Sequence, residues 1–438
     1  MSSYFNRHFL SNGLSPHVAA TLVALSLLGS GSALADSLSF NTALQAAMNH
    51  SPALLADQSL INASQAQSII AGQLPDPVLK AGIDNLPADG EHRFSVSHDD
   101  MTMQRIGIEQ EWVSGEKRHL ATVAAERKVN SDHSSYLANL AALRMQTASS
   151  WLSAYYAKQT LDSYNQLISQ MDNELAATRA AYRGSSATPS DVVDAQSQLA
   201  QQKILRLQAE QRYQAALFAL TRWTGVPTDG VLGNIPALQS DAAALSSQQL
   251  SQRQPELIAA SADISLADAN TAVANSERSP NWTWDVNYQN RSAPKTNMVS
   301  VGVSIPLPIY RSNKQDRAVE ASAALGTRAR ELFLDKQRQI QANIADLSSQ
   351  LTLGQQRIAL LQQGLLPLAE QKVRLADADY RAGNGALSRV FAARREKIDA
   401  TLSLLALQQD VAIAWAQMEY QLLPPALITT SGETAHAE

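Results

Sequence analysis

The chain has 438 residues, a formal net charge of −5, 45% hydrophobic content and no cysteine. That length is ample for a large core, and the mild acidity leaves no electrostatic footprint for a polyanion such as nucleic acid. The lack of cysteine excludes disulfides, thiolate metal sites and a lipidated N-terminal cysteine.

The first element in chain order is a leader. Arg7 precedes an apolar stretch around residues 18–28, and Ala33-Leu34-Ala35 stands before Asp36 as a small-x-small cleavage site. Residues 1–35 are therefore expected to be a secretory signal. Beyond them no apolar run reaches the ~18 residues a membrane-spanning helix needs.

A helix is expected over about Leu38 to Gly72, leading through Pro75 and Pro77 to a short strand with Leu79, Ala81 and Ile83 on one face. The following loop, EHRFSVSHDDMTM, holds His92, His98, Asp99, Asp100, Met101 and Met103. These are possible metal ligands. Their spacing matches no tight site, so His92, His98, Met101 and Met103 stand as weak loop candidates and no metal centre is assigned. The return strand, 103–112, alternates Ile106, Ile108, Gln110 and Trp112 with Arg105, Gly107, Glu109 and Glu111.

From Glu116 to Tyr182 there is neither proline nor glycine, so a helix of roughly 100 Å is expected. Leu140, Thr147, Ala154, Leu161, Ile168 and Leu175 recur at every seventh residue, the period of a coiled-coil seam. The turn RGSSATPS, with Ser190 as N-cap, leads to a helix ending near Trp223. GVPTDGVLGNIPALQS then reads as a linker.

The same order recurs. A helix spans about Pro255 to Glu277, and in the next strand Trp282, Trp284, Val286 and Tyr288 alternate with Thr283, Asp285, Asn287 and Gln289. Val299, Val301, Val303 and Ile305 form the apolar side of a fourth strand, stopped by Pro306 and Pro308. A second long helix, about 314–380, carries Ile340, Ile344, Leu347, Leu351, Gly354, Ile358, Leu361 and Leu365 at 4,3 spacing. After AGNGALS the last helix carries a stripe of Leu404, Leu407, Val411, Ala414 and Met418.

Two landmarks make this a duplication. YRGSSATPSDVVDA at Tyr182 and YRAGNGALSRVFAA at Tyr380 share Tyr, Arg, Ser, Val and Ala at an offset of 198. RIGIEQEWVSGEKRHLA parallels SVGVSIPLPIYRSNKQDRA with Gly107 on Gly302, an offset of 195. The expected organisation is a first repeat over 36–224, an equatorial linker over 225–250, a second repeat over 251–422 and a polar tail over 423–438.

The fold class is mainly α with a small β part. Strands of about ten residues can cross a bilayer when tilted. An open sheet edge in lipid leaves backbone groups unpaired at several kcal/mol each, so closure demands several copies. Trp282, Trp284, Val299, Val301 and Val303 are the lipid-facing candidates. With strands and tip turns at opposite ends of long helices, the expected object is a conduit. No HExxH, phosphate-binding loop or GxSxG is present, so neither catalysis nor a cofactor is expected.

The duplicated helix-strand-strand-helix-turn-helix plan, the segments Tyr182-Arg183-Gly184 and Tyr380-Arg381-Ala382-Gly383, and IPLPIYRSNKQ resemble the TolC-type outer-membrane efflux family. GQLPDPVLKAGIDNLP followed by MTMQRIGIEQEW is similar to the outer-membrane components of heavy-metal cation efflux systems of the resistance-nodulation-division class. The resemblance implies a non-lipidated homotrimer in the outer membrane of a Gram-negative bacterium, with a transmembrane β-barrel joined to a coiled-coil helical barrel in the periplasm. It implies an exit channel that passively conducts heavy-metal cations delivered by a periplasmic adaptor and an inner-membrane pump. Docking on the adaptor is implied at Arg183, Gly184, Ser185, Ala382, Gly383 and Asn384, and an aperture at Asp377 or Asp379. Those two aspartates are two residues apart, so at most one faces the axis. The alternatives are an outer-membrane channel for organic drugs or type I secretion, and a soluble periplasmic coiled-coil adaptor.

Overall fold

The computed structural model describes residues 37–291 and 294–424, so the expected leader and nearly all of the expected tail lie outside them. The chain opens with α1, Phe40–His50, and α2, Pro52–Ala71. One helix was expected there. Pro52 has no N–H for a continuing helix and restricts the residue before it, so Ser51 is extended, at φ −74° and ψ 112°, and its hydroxyl caps α2 through the Leu54 amide.

β1, Val78–Asp84, and β2, Met103–Trp112, follow. α3, Gly115–Arg183, is an unbroken helix of 69 residues started by the Ser114 hydroxyl. Its expected seam is buried at Leu140, Thr147, Ala154, Leu161 and Leu175, and half-buried at Ile168. α4, Pro189–Thr224, is capped by Thr188 and not by Ser190. Pro189 occupies the first helical position, where no amide is needed, and Thr188 and Asp191 bond reciprocally.

The linker carries a parallel bridge between Leu38 and Val231 and the short α5, Ser247–Arg253. α6 spans Pro255–Ser276, followed by β3, Trp282–Asn290, and β4, Met298–Ser304. The last strand stops one residue short of Ile305, just before Pro306, which has no ladder donor. α7, Gln315–Leu360, passes through a π turn at Leu361–Leu365 into α8, Leu366–Arg381, and α9, Leu387–Tyr420, closes the fold.

The π turn corrects the expected single helix and seam. Pro367 lacks the N–H that would bond the Gln363 carbonyl, and the wide turn takes up one extra residue. Ile340 to Gly354 are buried as expected, but Leu365 is 44% exposed and the buried row resumes at Ala369.

The helices form one layer. Near the sheet the order is α2, α3, α6, α7; toward the tips it is α4, α3, α9, α8. At mid-height Trp151 of α3 donates its indole N–H to the Leu38 carbonyl at 2.8 Å, and Trp415 of α9 donates to Gln239 at 2.8 Å. Two buried indoles thus tie the chain start and the linker to the layer. Leu423 is wholly buried and its amide bonds the Arg253 carbonyl at 3.1 Å, so packing runs just past 422.

The two tip turns are copies at the atomic level. Amides of Gly184, Ser185 and Ser186 bond carbonyls of Ala180, Tyr182 and Ala181 at 3.1, 3.1 and 2.9 Å; those of Ala382, Gly383 and Asn384 bond Ala378, Tyr380 and Asp379 at 3.0, 3.1 and 2.9 Å. The left-handed residue is Ser185 (φ 57°) in one and Gly383 (φ 77°) in the other. Only glycine takes that conformation freely; other residues lose roughly 1 kcal/mol. Ser185→Gly should slow amide exchange across the first tip about fivefold, and Gly383→Ala should speed it across the second by a similar factor, as read by hydrogen exchange.

Candidate functional site

The sheet order is β1-β2-β3-β4, antiparallel throughout, and its register sorts every side chain to one of two faces. Leu79, Ile108, Val286 and Val301 lie in one row; Ala81, Ile106, Tyr288 and Val299 in the next; Gln110, Trp284 and Val303 in a third. None of the described elements covers this face: Val301 is 72% exposed. Trp112 and Trp282 pair at its helix end, with ring centroids 5.9 Å apart. All five lipid-facing candidates, Trp282, Trp284, Val299, Val301 and Val303, therefore share one apolar face.

The opposite face is charged. Lys80 pairs with Glu109, Arg105 lies 3.3 Å from Asp84, and Gln289 donates to Ser300 at 3.3 Å. A four-stranded sheet with one mostly apolar and one charged face matches the alternation of a barrel wall with lipid outside and water inside.

At the other end of the layer, Arg183, Gly184, Ser185, Ala382, Gly383 and Asn384 are all exposed at the two turns. Asp377 faces α9, where Arg394 Nη2 lies 3.2 and 3.4 Å from its oxygens. Asp379 is exposed and makes no ion pair among the described residues. Between the hairpins a cavity of about 490 Å³ is lined by Glu174, Thr178, Gln198, Tyr380, Phe391 and Arg395. Burial pushes the Glu174 carboxyl up to about 7, against the opposing pull of Arg395 and Arg394. Those two cations bond elsewhere, Arg395 to Gln198 and Arg394 to Asp377. Sequence reading missed Glu174, because its environment is made by α9, far away in the chain.

The outer loop brings His92 and His98 together, with rings stacked at 5.6 Å, while His98 Nδ1 bonds the Ser95 hydroxyl at 2.9 Å. Met101 is exposed and Met103 begins β2 on the charged face. Among the described residues no group of three or more His, Cys, Asp or Glu is placed to hold a metal ion.

Residues 246–422 match the model of the outer membrane efflux protein family. The chain is 26% identical over 221 residues to the cobalt-zinc-cadmium resistance protein CzcC of Cupriavidus metallidurans, a stretch covering 50% of this chain and 52% of that relative. The chain thus matches about half the length of that curated relative. Its fold is similar to a membrane protein from Pseudomonas aeruginosa (TM-score 0.76, 17% identity, 87% of this chain and 89% of that one). It is also similar to the CmeC outer membrane channel of Campylobacter jejuni (TM-score 0.74, 13% identity, 90% and 88%).

The helical layer ends in two largely apolar rows that no described element covers. On α4, Val193, Ser197, Ala200, Ile204, Leu207, Gln211, Gln214 and Phe218 keep a strict 4,3 spacing and are all exposed, Phe218 by 71%. On α7 and α8, Leu325, Leu332, Leu353 and Leu360 lie at multiples of seven, and Leu368 and Leu375 continue the row after one added residue at the π turn. Sequence periodicity marks the buried seam of α7, whereas these exposed rows emerge only from the packing.

Glu174 sets a pH dependence. Its folded pKa, about 7, lies above the ordinary 4.5, so the folded state holds the proton more tightly and contact between the hairpins is strongest in acid. Stability should fall as pH rises from 4.5 through 7, and Glu174→Gln should flatten that dependence in thermal melts recorded between pH 5 and 8.

Proposed function

We propose that the protein is the outer-membrane exit channel of a tripartite efflux pump, assembled as a homotrimer and conducting heavy-metal cations passively. The observation that carries the reading is the coincidence of open edges. β1 and β4 end the sheet, and β1 lies on the side of α2 and α4 while β4 lies on that of α7 and α8. The exposed row of α4 and the exposed row of α7 and α8 therefore stand on the same opposite sides as the two unpaired strand edges.

A contact between two different edges is head-to-tail, and repeated by rotation it closes a ring. Two copies would make eight strands, a barrel filled by its own side chains, whereas three make twelve and leave a water-filled lumen. In that ring the valine face meets lipid, the charged face lines the lumen, and Trp112 and Trp282 lie at the inner interface. None of the described helices is long and apolar enough to cross a membrane. The partial family match and the similarity of fold to outer-membrane channels support a passive conduit whose energy for transport is supplied by a partner pump. The two tips, Arg183 to Ser185 and Ala382 to Asn384, are the surface for a periplasmic adaptor, and Asp379 is the aperture carboxylate, since Asp377 is engaged by Arg394. Heavy-metal cations are the favoured cargo because CzcC is named for cobalt, zinc and cadmium resistance.

Fractionation and assembly test the channel. The protein is expected in the outer membrane as a detergent-resistant trimer, and Phe218→Asp or Leu360→Asp, each on an exposed row, should yield folded monomers; a soluble wild-type monomer would overturn the reading. Deleting the protein and challenging cells with copper, silver, zinc, cobalt, cadmium and organic toxicants tests the cargo. The expected outcome is sensitivity to divalent metals, while sensitivity confined to organic compounds would remove the metal assignment.

A further inference from the structure

The charged face of the sheet holds two polar side chains that its ion pairs leave over. Asp84, Glu109, Glu111 and Asp285 lie on it with Lys80 and Arg105. Lys80 is paired with Glu109 and Arg105 with Asp84, while Glu111 accepts from Asn281 at 2.8 Å. Asp285 has no cationic partner among the described residues; its carboxylate accepts a hydrogen bond from Asn287 Nδ2. Asn287 is only 6% exposed, and its Oδ1 is buried with no donor.

The strands on either side of β3 leave space for this pair. Register sets Gly107 of β2 opposite Asn287, and Gly302 of β4 opposite Asp285. A Cβ at Gly107 would fall 2.1 Å from Asn287 Oδ1, and one at Gly302 would fall 2.4 Å from Asp285 Oδ1. Neither glycine has a positive φ, so the backbone does not require glycine at either place. The absent side chains make room for neighbouring oxygens, and these are the two glycines that the duplication aligns.

We propose that Asp285 and Asn287 form a cation-binding site on the charged face of the sheet, taking a hard divalent cation through carboxylate and carboxamide oxygens. The cation supplies the positive partner that the buried Oδ1 lacks, in the field of a carboxylate that no Lys or Arg neutralises. Oxygen donors without nitrogen or sulfur favour hard cations, and so few protein ligands leave the remaining coordination to water, which makes binding weak and exchange fast. Asp285 and Asn287 stand near the middle of β3, so three copies would place a ring of such sites midway along the lumen. That position rests on the channel reading; the site itself is complete in one chain.

Terbium, an oxygen-seeking luminescent ion, reports on such a site when excited through nearby tryptophan, and Trp284 adjoins Asp285 in β3. With the purified full-length protein in detergent, saturable terbium emission competed by calcium or manganese is expected. Asp285→Asn, Asn287→Leu and Gly107→Ala should each weaken apparent affinity at least about tenfold, Asp285→Glu should restore much of it, and Asp100→Asn in the outer loop should change nothing. Circular dichroism and the detergent-resistant oligomer check that each variant folds. Wild-type protein without sensitised emission, emission unchanged in Asp285→Asn, or emission lost only with Asp100→Asn would each overturn the proposal. Conductance in planar bilayers separates the two readings: a protein that conducts but binds no terbium fails here alone, and one that binds terbium but does not conduct fails as a channel alone.

Discussion

The unpaired backbone of two edge strands is the constraint on which the rest of the structure depends. β2 and β3 each find partners on both sides, whereas β1 and β4 do so on one side only. In water such an edge invites association; in hydrocarbon, which the proposed channel would put against the apolar face of this sheet, each unmet N–H or C=O costs several kcal/mol. On the channel reading, assembly is a condition of folding in the membrane. The helical layer meets the same condition, with its two spare rows on the sides where the sheet is open.

Joining a twisted sheet to long helices needs two β-to-α junctions, and the duplicated halves solve them differently while relying on one helix end. Lys117, in the first turn of α3, is buried and bonds Glu277 at 3.0 Å and Asn281 at 2.9 Å. Asp316, in the first turn of α7, lies 2.9 Å from Arg278. Glu277 and Arg278 are consecutive at the end of α6, so neighbouring residues of opposite charge hold the two junctions. The first junction needs only Val113 and Ser114, because Ser114 caps α3 directly. The second has no side-chain cap, and its extended Pro306–Pro308 stretch and the 3-10 turn Arg311–Asn313 bring the chain to α7. The prolines thus belong to the longer, uncapped route, whereas neither the backbone nor the neighbours of Gly115 require a glycine there.

Much of this was legible in the sequence because period and punctuation carry it. The bounds of β2 and β3 and the two faces of the sheet follow from strict alternation, and α3 follows from a long stretch free of proline and glycine. Misreadings occurred where proline acts at a distance: Pro52 divides the first helix, Pro189 moves the cap to Thr188, and Pro367 widens a turn in the second long helix. At the candidate sites, pattern placed the apolar face and the tips, but it could not show that Arg394 engages Asp377 or that Asn287 keeps an unmet oxygen. Both depend on residues brought together from separate elements.

The repeats have kept their turn geometry and diverged in what stabilises it. In the first hairpin α3 runs unbroken to the tip, and α4 starts with a reciprocal cap in which Asp191 favours the helix dipole. In the second, Ala386 offers no cap, Arg389 occupies the place of Asp191 where a cation is disfavoured, and a π turn interrupts the helix leading to the tip. Where local devices are absent, contacts between elements take their place: Asp377 with Arg394, Lys372 with Glu396 and Glu370 with Lys397 cross from α8 to α9. The first hairpin is also joined across its helices, by Lys203 with Asp172 at 3.6 Å and Arg206 with Asn165 at 2.9 Å, but it adds a capped start to its returning helix that the second lacks.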